Sequence, residues 1–597
     1  MTLRQYLIAL CAVPALLWAA QPDKLFVKSV EFPAEATVEQ KIDMASRLVP
    51  SSKQLQWQQL ELTAFIHFGI NTFTGREWGD GSESPAIFNP AELDADQWVR
   101  TLSEAGFRLV ILTAKHHDGF CLWPTATTEH SVKSSPWRNG KGDVMADLRR
   151  ACDKYGMKLG VYLSPWDRNA ACYGYSHAYN DMFVAQLTEL LTDYGRIDEV
   201  WFDGACGEGP NGKKQVYDWE RFRTTIERLQ PEAVVAIMGD DVRWVGNEKG
   251  MGRETEWSAT ALTPGIYPES DESNSRLGIY GKARDLGSRD IVARAHKLYW
   301  WPSEVDVSIR PGWFYHDTEQ PKSLRSLAEI YLNSVGRNSV LLLNIPPDRR
   351  GLIDEKDVAR LQELRAWIDS NLKPDLVCDF NRKSLTGNFK NRSTVNAVTI
   401  GEDISKGQHV ESFDVEALVD GQWRKVSEGT TIGLKRILVF PELAAEAVRV
   451  RPLSVRGKAN IDMLRAHYIA LPAETGTELP GYRAMPTTDW LVTDCSGDRS
   501  TVYRAFDGSD GTFWQSEQSA GEKSITVDTR RNAAVAGFVY TPRGGDDKAG
   551  TVYHYRFELS TDGKQWHECA VSGEFSNIAY NPLPQRVYLP APVEARY

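Results

Sequence analysis

Between residues 60 and 345, short apolar runs recur, each separated from the next by an amphipathic stretch. The runs are TAFIHFGI (63–70), RLVILTAK (108–115), KLGVYLSP (158–165), EVWFDG (199–204), AVVAIM (233–238), a weak one at TEWS (255–258), EVDVSI (304–309) and SVLLLNI (339–345). Continuous runs of this kind suit strands buried on both faces, as in a parallel sheet. DADQWVRTLSEAG (94–106) and VMADLRRACDKYG (144–156) have helical spacing and end in Gly, a common C-cap residue. Strands alternating with helices predict a (β/α)8 TIM-like barrel over 21–372. The alternative is an open doubly wound sheet, but no Gly-rich phosphate loop follows the first run.

Past residue 373 the helical spacing stops and short alternating segments take over: ESFDVEALV (411–419), QWRKVSE (422–428), TTIGLKRILVF (430–440) and AEAVRVRPL (445–453). They predict a β-sandwich over 373–472, followed by a linker at 473–486. Within 487–597, WLVTDCSGD, AFDGSDGTFWQS, SITVDTRRNAAVAGFVYTPR and YRFELSTDGKQWHEC resemble the discoidin-like (coagulation factor type-C) jelly roll. That resemblance implies a β domain of the carbohydrate-binding kind, leaves room for a structural calcium in it, and predicts a short or missing last strand.

The N-terminus has the order of a secretory signal peptide: one Arg, the apolar run YLIALCAVPALLW, then Ala19-Ala20 before polar residues. Residues 1–20 are therefore expected to be removed, placing the protein in the periplasm or outside the cell. Leu10 before Cys11 argues against a lipid anchor, and no later segment has the length and apolarity of an integral membrane span. Net charge −11 without a basic run excludes nucleic acid as a partner, since that affinity rests on cationic contacts to phosphate. The other seven cysteines are scattered with no CxxC pair, so zinc clusters are absent and mostly reduced thiols are expected.

In such a barrel, catalytic groups sit at the C-terminal ends of strands. Those ends give His67, Lys115-His116-His117-Asp118, Asp167, Asp203, Asp240-Asp241, Glu256 and Arg310. Asp203 stands out, because it is a single acid closing the apolar VWF, where a charge is costly unless paired or used. His67, His116 and His117 converge on the same mouth.

FIHFG (65–69), REW (76–78), KHHDGF (115–120) and EVWFDGA (199–205) resemble glycoside hydrolase family 29, the α-L-fucosidases. RWVGNE (243–248), TEWS and RPGWFYH (310–316) are similar to its subfamily selective for α-1,3 and α-1,4 linkages. The resemblance spans about 60–470. It implies an exo-acting retaining α-L-fucosidase acting on Lewis-type glycans, with no cofactor or catalytic metal required. Asp203 inherits the nucleophile's place and Glu248 that of the acid/base, with Glu254 and Glu256 as rivals for the latter. His67, Glu77, Trp78, His116, His117, Trp201 and Trp313 inherit substrate binding. A retaining mechanism needs carboxyls about 5–5.5 Å apart. The fucose methyl wants an apolar wall such as Trp201, Phe65 or Trp313, and a branching sugar can be met by Trp244, Trp257 and Trp313.

Two other functions compete. A metal-dependent hydrolase could use His67, His116, His117 and Asp118 as ligands. Adjacent His116 and His117 on a strand end should, however, point to opposite faces. A non-catalytic glycan-binding protein could hold the same sugars, although an intact Asp203 argues against it.

Overall fold

The computed structural model describes residues 24–473 and 482–597, apart from 510, 520, 544–548, 576 and 580–581, with backbone alone at 568–572. The expected signal peptide and most of the expected linker lie outside the described residues.

Eight parallel strands form the first domain: β1 (Leu62–Ile66), β2 (Leu109–Lys115), β3 (Lys158–Leu163), β4 (Glu199–Phe202), β5 (Val234–Ile237), β6 (Arg243–Trp244), β7 (Ser303–Ser308) and β8 (Val340–Asn344). Their order in the sheet is β5-β4-β3-β2-β1-β8-β7-β6. A parallel bridge from Ala236 to Val242 brings the two ends together, so the sheet is a nearly closed (β/α)8 barrel. Helices α1 (Ala95–Glu104), α2 (Val144–Tyr155), α3 (Ser176–Thr192), α4 (Trp219–Leu229), α5 (Leu324–Ser334) and α6 (Glu355–Leu372) pack around it. Asp94 caps α1 by accepting from the Asp96 and Gln97 amides, and α2 ends on Gly156 in the left-handed region at φ 65°.

The strands carry two cores, because successive side chains face opposite sides. Ala64, Val110, Val161, Val200 and Leu343 join the shell between strands and helices. Phe65, Ile111, Tyr162, Trp201 and Leu342 fill the barrel. Continuing the inner phase one step past each strand's apolar layer gives His67, Ser164, Asp203 and Asn344. On β2 a register shift between Thr113 and Lys115 breaks this phase. Lys115 consequently turns outward to Asp167 (3.0 Å) and Gln186 of α3 (3.0 Å).

One strand differs from expectation. The sixth is Arg243–Trp244, which pairs with Ser303–Glu304. TEWS forms no barrel strand; the neighbouring Ala259–Thr260 joins a peripheral antiparallel sheet with Lys297–Trp300 and Ser29–Glu31. A two-residue strand has too little apolar length to stand out in a sequence.

Strands β9 (Val377–Asn381), β10 (Thr386–Glu402), β11 (Val410–Val419), β12 (Gln422–Gly429), β13 (Arg436–Val455) and β14 (Ile461–His467) make one antiparallel sheet. Register shifts break the long strands β10 and β13, and the sheet closes as a sandwich around Val395, Phe413, Val415 and Val448. It is fastened to the barrel by Gln408, which donates to the Glu256 carbonyl (2.9 Å), and by Trp367, which donates to that of Ala470 (2.9 Å).

The last domain pairs β15 (Leu491–Cys495) with β16 (Ile525–Asp528), β17 (Ala533–Tyr540) with β20 (Gln585–Ala595), and β18 (His554–Leu559) with β19 (His567–Glu574). Its final strand, expected to be short or missing, runs for 11 residues. Cys121, Cys152, Cys172, Cys206, Cys378 and Cys495 are free thiols. No helix among the described residues is long and apolar enough to cross a membrane.

Candidate active site

The polar layer above the barrel's inner aromatics forms the site. Asp203 extends the inner phase of β4 and stays 28% exposed. Tyr162 donates its hydroxyl to Asp203 Oδ2 (3.0 Å), and the Ala205 amide donates to Oδ1 (2.8 Å). Each oxygen thus has a donor.

His67 is fixed by Asn344. Its backbone N–H (3.1 Å) and Nδ1 (2.9 Å) both reach Asn344 Oδ1. The Asn344 amide nitrogen donates to the Trp313 carbonyl and to Ser308 Oγ, each at 2.8 Å, which settles which amide atom is the oxygen. Nδ1 of His67 therefore carries the proton, and Nε2 is left as an acceptor. Burial pushes the His67 pKa down to about 3 and keeps the ring neutral.

His116 and His117 lie just past β2, and their rings are 4.2 Å apart. The expectation that they point to opposite faces is overturned, because the chain leaves the extended conformation at Lys115. His117 Nδ1 lies 2.7 Å from Ser164 Oγ, whose hydrogen goes to the Trp166 carbonyl (2.7 Å). That leaves His117 Nε2 as an acceptor 3.8 Å from Asp203 Oδ2. His116 Nδ1 is buried without a hydrogen-bond partner among the described residues. Burial holds both rings below the ordinary histidine pKa.

The loop after β7 brings the opposite wall. Glu77 is buried and accepts from the Trp313 (2.8 Å) and Phe314 (3.2 Å) amides, while His316 Nε2 lies 2.9 Å away. It therefore braces this loop. Trp313 packs 5.0 Å from the His67 ring and donates its indole N–H to Glu248 Oε2 (3.3 Å). Trp78 stands exposed at the rim, edge-on to His117 and Trp166.

Glu248 follows β6 and is half-buried. Burial, assisted by the charges of Asp203 and Glu77, pushes its pKa up to about 7 against hydrogen bonds from Asn577 and Trp313. Two residues earlier, Gly246 adopts φ 101°, and a Cβ there would lie 2.3 Å from the Gly281 carbonyl oxygen. Gly246→Ala is thus expected to displace the Glu248 loop and reduce kcat by about 10²-fold, since small misplacements of catalytic groups are costly. Wild-type kcat in a folded variant would contradict this.

Several sequence candidates fall elsewhere. Trp201 sits one layer below Asp203, 6% exposed, with its indole N–H donated to Glu304 (2.7 Å). Trp257 is buried beneath the Arg456 guanidinium (3.8 Å), and Trp244 donates to Asp306 (2.8 Å). Glu254 is exposed. Glu256 is buried between Arg243 and Arg253; burial opposes its charge, but the two guanidiniums outweigh it and hold its pKa below the ordinary value. Asp240 and Asp241 pair with Lys28, and Arg310 with Asp357. Tyr162, Ser164, Asn344 and His316 were missed in the sequence. Ser164 and Asn344 close apolar strands as Asp203 does, and that signal could have found them, whereas Tyr162 lies inside β3 among apolar residues. No group of three or more His, Cys, Asp or Glu among the described residues is placed to hold a metal ion.

Comparison with known proteins agrees with this layout. The family profile described as "Alpha-L-fucosidase" matches residues 77–373, and "F5/8 type C domain" matches 492–597. The chain is 43% identical to "Alpha-L-fucosidase 1" of Arabidopsis thaliana over 430 residues, 66% of this chain and 82% of that one. A solved Bacteroides ovatus protein, named a candidate α-L-fucosidase, is 56% identical with TM-score 0.76, covering 96% of each chain. A Ruminococcus gnavus glycoside hydrolase 29 fucosidase solved in complex with fucose is 30% identical with TM-score 0.62, covering 73% of this chain and 97% of that one.

Proposed function

The chain belongs to the α-L-fucosidase family, glycoside hydrolase family 29, and from that premise we propose that it is an exo-acting retaining fucosidase for α-1,3- and α-1,4-fucosylated, Lewis-type glycans. In this reading Asp203 attacks the anomeric carbon as Glu248 protonates the leaving oxygen. Glu248 then takes a proton from the water that releases fucose from Asp203. The supporting observation is the contrast between the two carboxyls. Asp203 has a donor on each oxygen, whereas Glu248 is pushed up to about 7 and keeps a proton to give. The neutral His67 and His117 offer acceptors to sugar hydroxyls, and the unpartnered His116 Nδ1 suits a third. Trp78 at the rim and Trp313 beside His67 are the aromatic faces left for the sugar and its methyl.

Linkage selectivity follows if a branching sugar gains contacts that are realised in the transition state. Trp313 and exposed Trp78 remain available for this, whereas Trp257 does not. The specificity constant for a Lewis trisaccharide is expected to exceed that for an unbranched α-1,2-fucosyl disaccharide by on the order of 10²-fold. Equal values, or the reverse order, would contradict the linkage assignment.

The N-terminal pattern supports export to the periplasm or beyond, and an intact leader on the mature protein would overturn that. Fucosylated oligosaccharides or glycoconjugates are the partners. The chemistry assigned to Asp203 and Glu248 needs no metal, so full activity is expected in a chelator. A structural calcium in the C-terminal domain would appear as a melting temperature lowered by the chelator.

A further inference from the structure

Residues 75–84, between β1 and β2, contain no helix or strand, yet they carry Trp78 at the rim. The Trp78 side chain is 43% exposed and meets two other rings edge-on, His117 at 5.3 Å and Trp166 at 5.6 Å. A segment without helix or strand has no regular ladder to satisfy its backbone, so its hydrogen bonds must go elsewhere. Here they go to the turn after β3. Arg168 Nη1 donates to the Gly79 carbonyl (2.6 Å), and Asn169 Nδ2 donates to that of Gly81 (2.8 Å). Both glycines are buried, and a Cβ on Gly81 would lie 2.2 Å from the Arg168 carbonyl oxygen, so the two backbones touch. The Arg168 guanidinium also lies 5.3 Å from the centre of the Trp166 ring.

The turn is itself firmly held. Asp167 Oδ1 accepts from the Asn169 (3.0 Å) and Ala170 (2.8 Å) amides, and Oδ2 accepts from the buried Lys115 ammonium (3.0 Å). The Arg168 amide donates to the His117 carbonyl (2.8 Å). One turn therefore grips both His117 and the chain just past Trp78. We propose that Arg168, with Asn169, is a specificity-determining clamp that fixes Trp78 against His117 and Trp166 as a face for the sugar branching beside fucose. This rests on the reading of Trp78 as a contact for that sugar. Gly79 directly follows Trp78, so removing the donor to its carbonyl frees the peptide next to the ring. A ring that must be ordered at each encounter binds more weakly than one already in place.

The full chain is compared with Trp78→Ala, Arg168→Met, Arg168→Lys, Asn169→Ala and the double variant Trp78→Ala/Arg168→Met. Each is assayed for kcat and KM on a Lewis trisaccharide and on an activated aryl fucoside. The readout is the ratio of the two specificity constants, which a general loss of folded enzyme does not move. Arg168→Met is expected to lower this ratio on the order of tenfold, mainly through the trisaccharide KM, the effect of one hydrogen bond from a charged group. Trp78→Ala should lower it at least as much, and Asn169→Ala should act in the same direction. Arg168→Lys keeps a charged donor and should fall less than Arg168→Met. In the double variant the Arg168 change should add little to Trp78→Ala, because it acts through that ring. If Trp78→Ala lowers the ratio while Arg168→Met and Asn169→Ala leave it unchanged, or if the two effects add in full, the clamp is overturned and the reading of Trp78 stands. If Trp78→Ala leaves the ratio unchanged, that reading fails and the clamp falls with it.

Discussion

Asp203→Ala is expected to lose turnover by about 10³-fold or more while remaining folded, as when a covalent nucleophile is removed. The carboxylate is partly exposed, and its donors are the Tyr162 hydroxyl and the Ala205 amide. Truncation thus leaves no buried charge uncompensated, and loss of activity can be separated from loss of fold by melting temperature. Azide should occupy the space left by the carboxylate and attack the same face of the sugar, restoring part of the rate and giving a fucosyl azide of inverted anomeric configuration. Asp203→Asn keeps the shape but not the charge and should be comparably inactive. Near-normal activity in either variant would remove Asp203 from the reaction.

Glu248→Ala should be slowed by about 10² to 10⁴-fold on an unactivated oligosaccharide, the range typical of a lost general acid. An activated aryl leaving group needs no proton, so the loss there should be far smaller. In the wild type, kcat/KM should fall as pH rises through about 7, because the first step needs protonated Glu248 and burial sets its pKa there. The rival acids separate cleanly. Glu254→Ala, an exposed change, should be silent. Glu256→Ala breaks a buried pair with Arg243 and should cost stability, about 3–5 kcal/mol, without the leaving-group signature. That signature in Glu256→Ala, and not in Glu248→Ala, would move the acid/base.

The barrel was legible because seven of its strands are apolar runs, and a buried parallel strand can hardly be anything else. The eighth, Arg243–Trp244, was hidden by its length, and TEWS drew the assignment through a carboxylate that serves two arginines. Asp203 and His67 were legible as polar residues ending apolar strands. Alternation along VWFD puts Trp201 and Asp203 on the same inner side, one layer apart. Only the upper of the two faces the mouth. His116 and His117 were misjudged because strand geometry was extended past Lys115, where β2 ends.

The most direct test is to trap the covalent intermediate. A fucosyl donor with a good leaving group and a 2-fluoro substituent slows release of sugar from the enzyme, and the labelled protein is digested and read by mass spectrometry. The account predicts a stoichiometric fucosyl adduct on the peptide containing VWFDG, on Asp203, with fucose released from ordinary substrate first as the α-anomer. An adduct on another carboxylate, or none together with first release of the β-anomer, would contradict it.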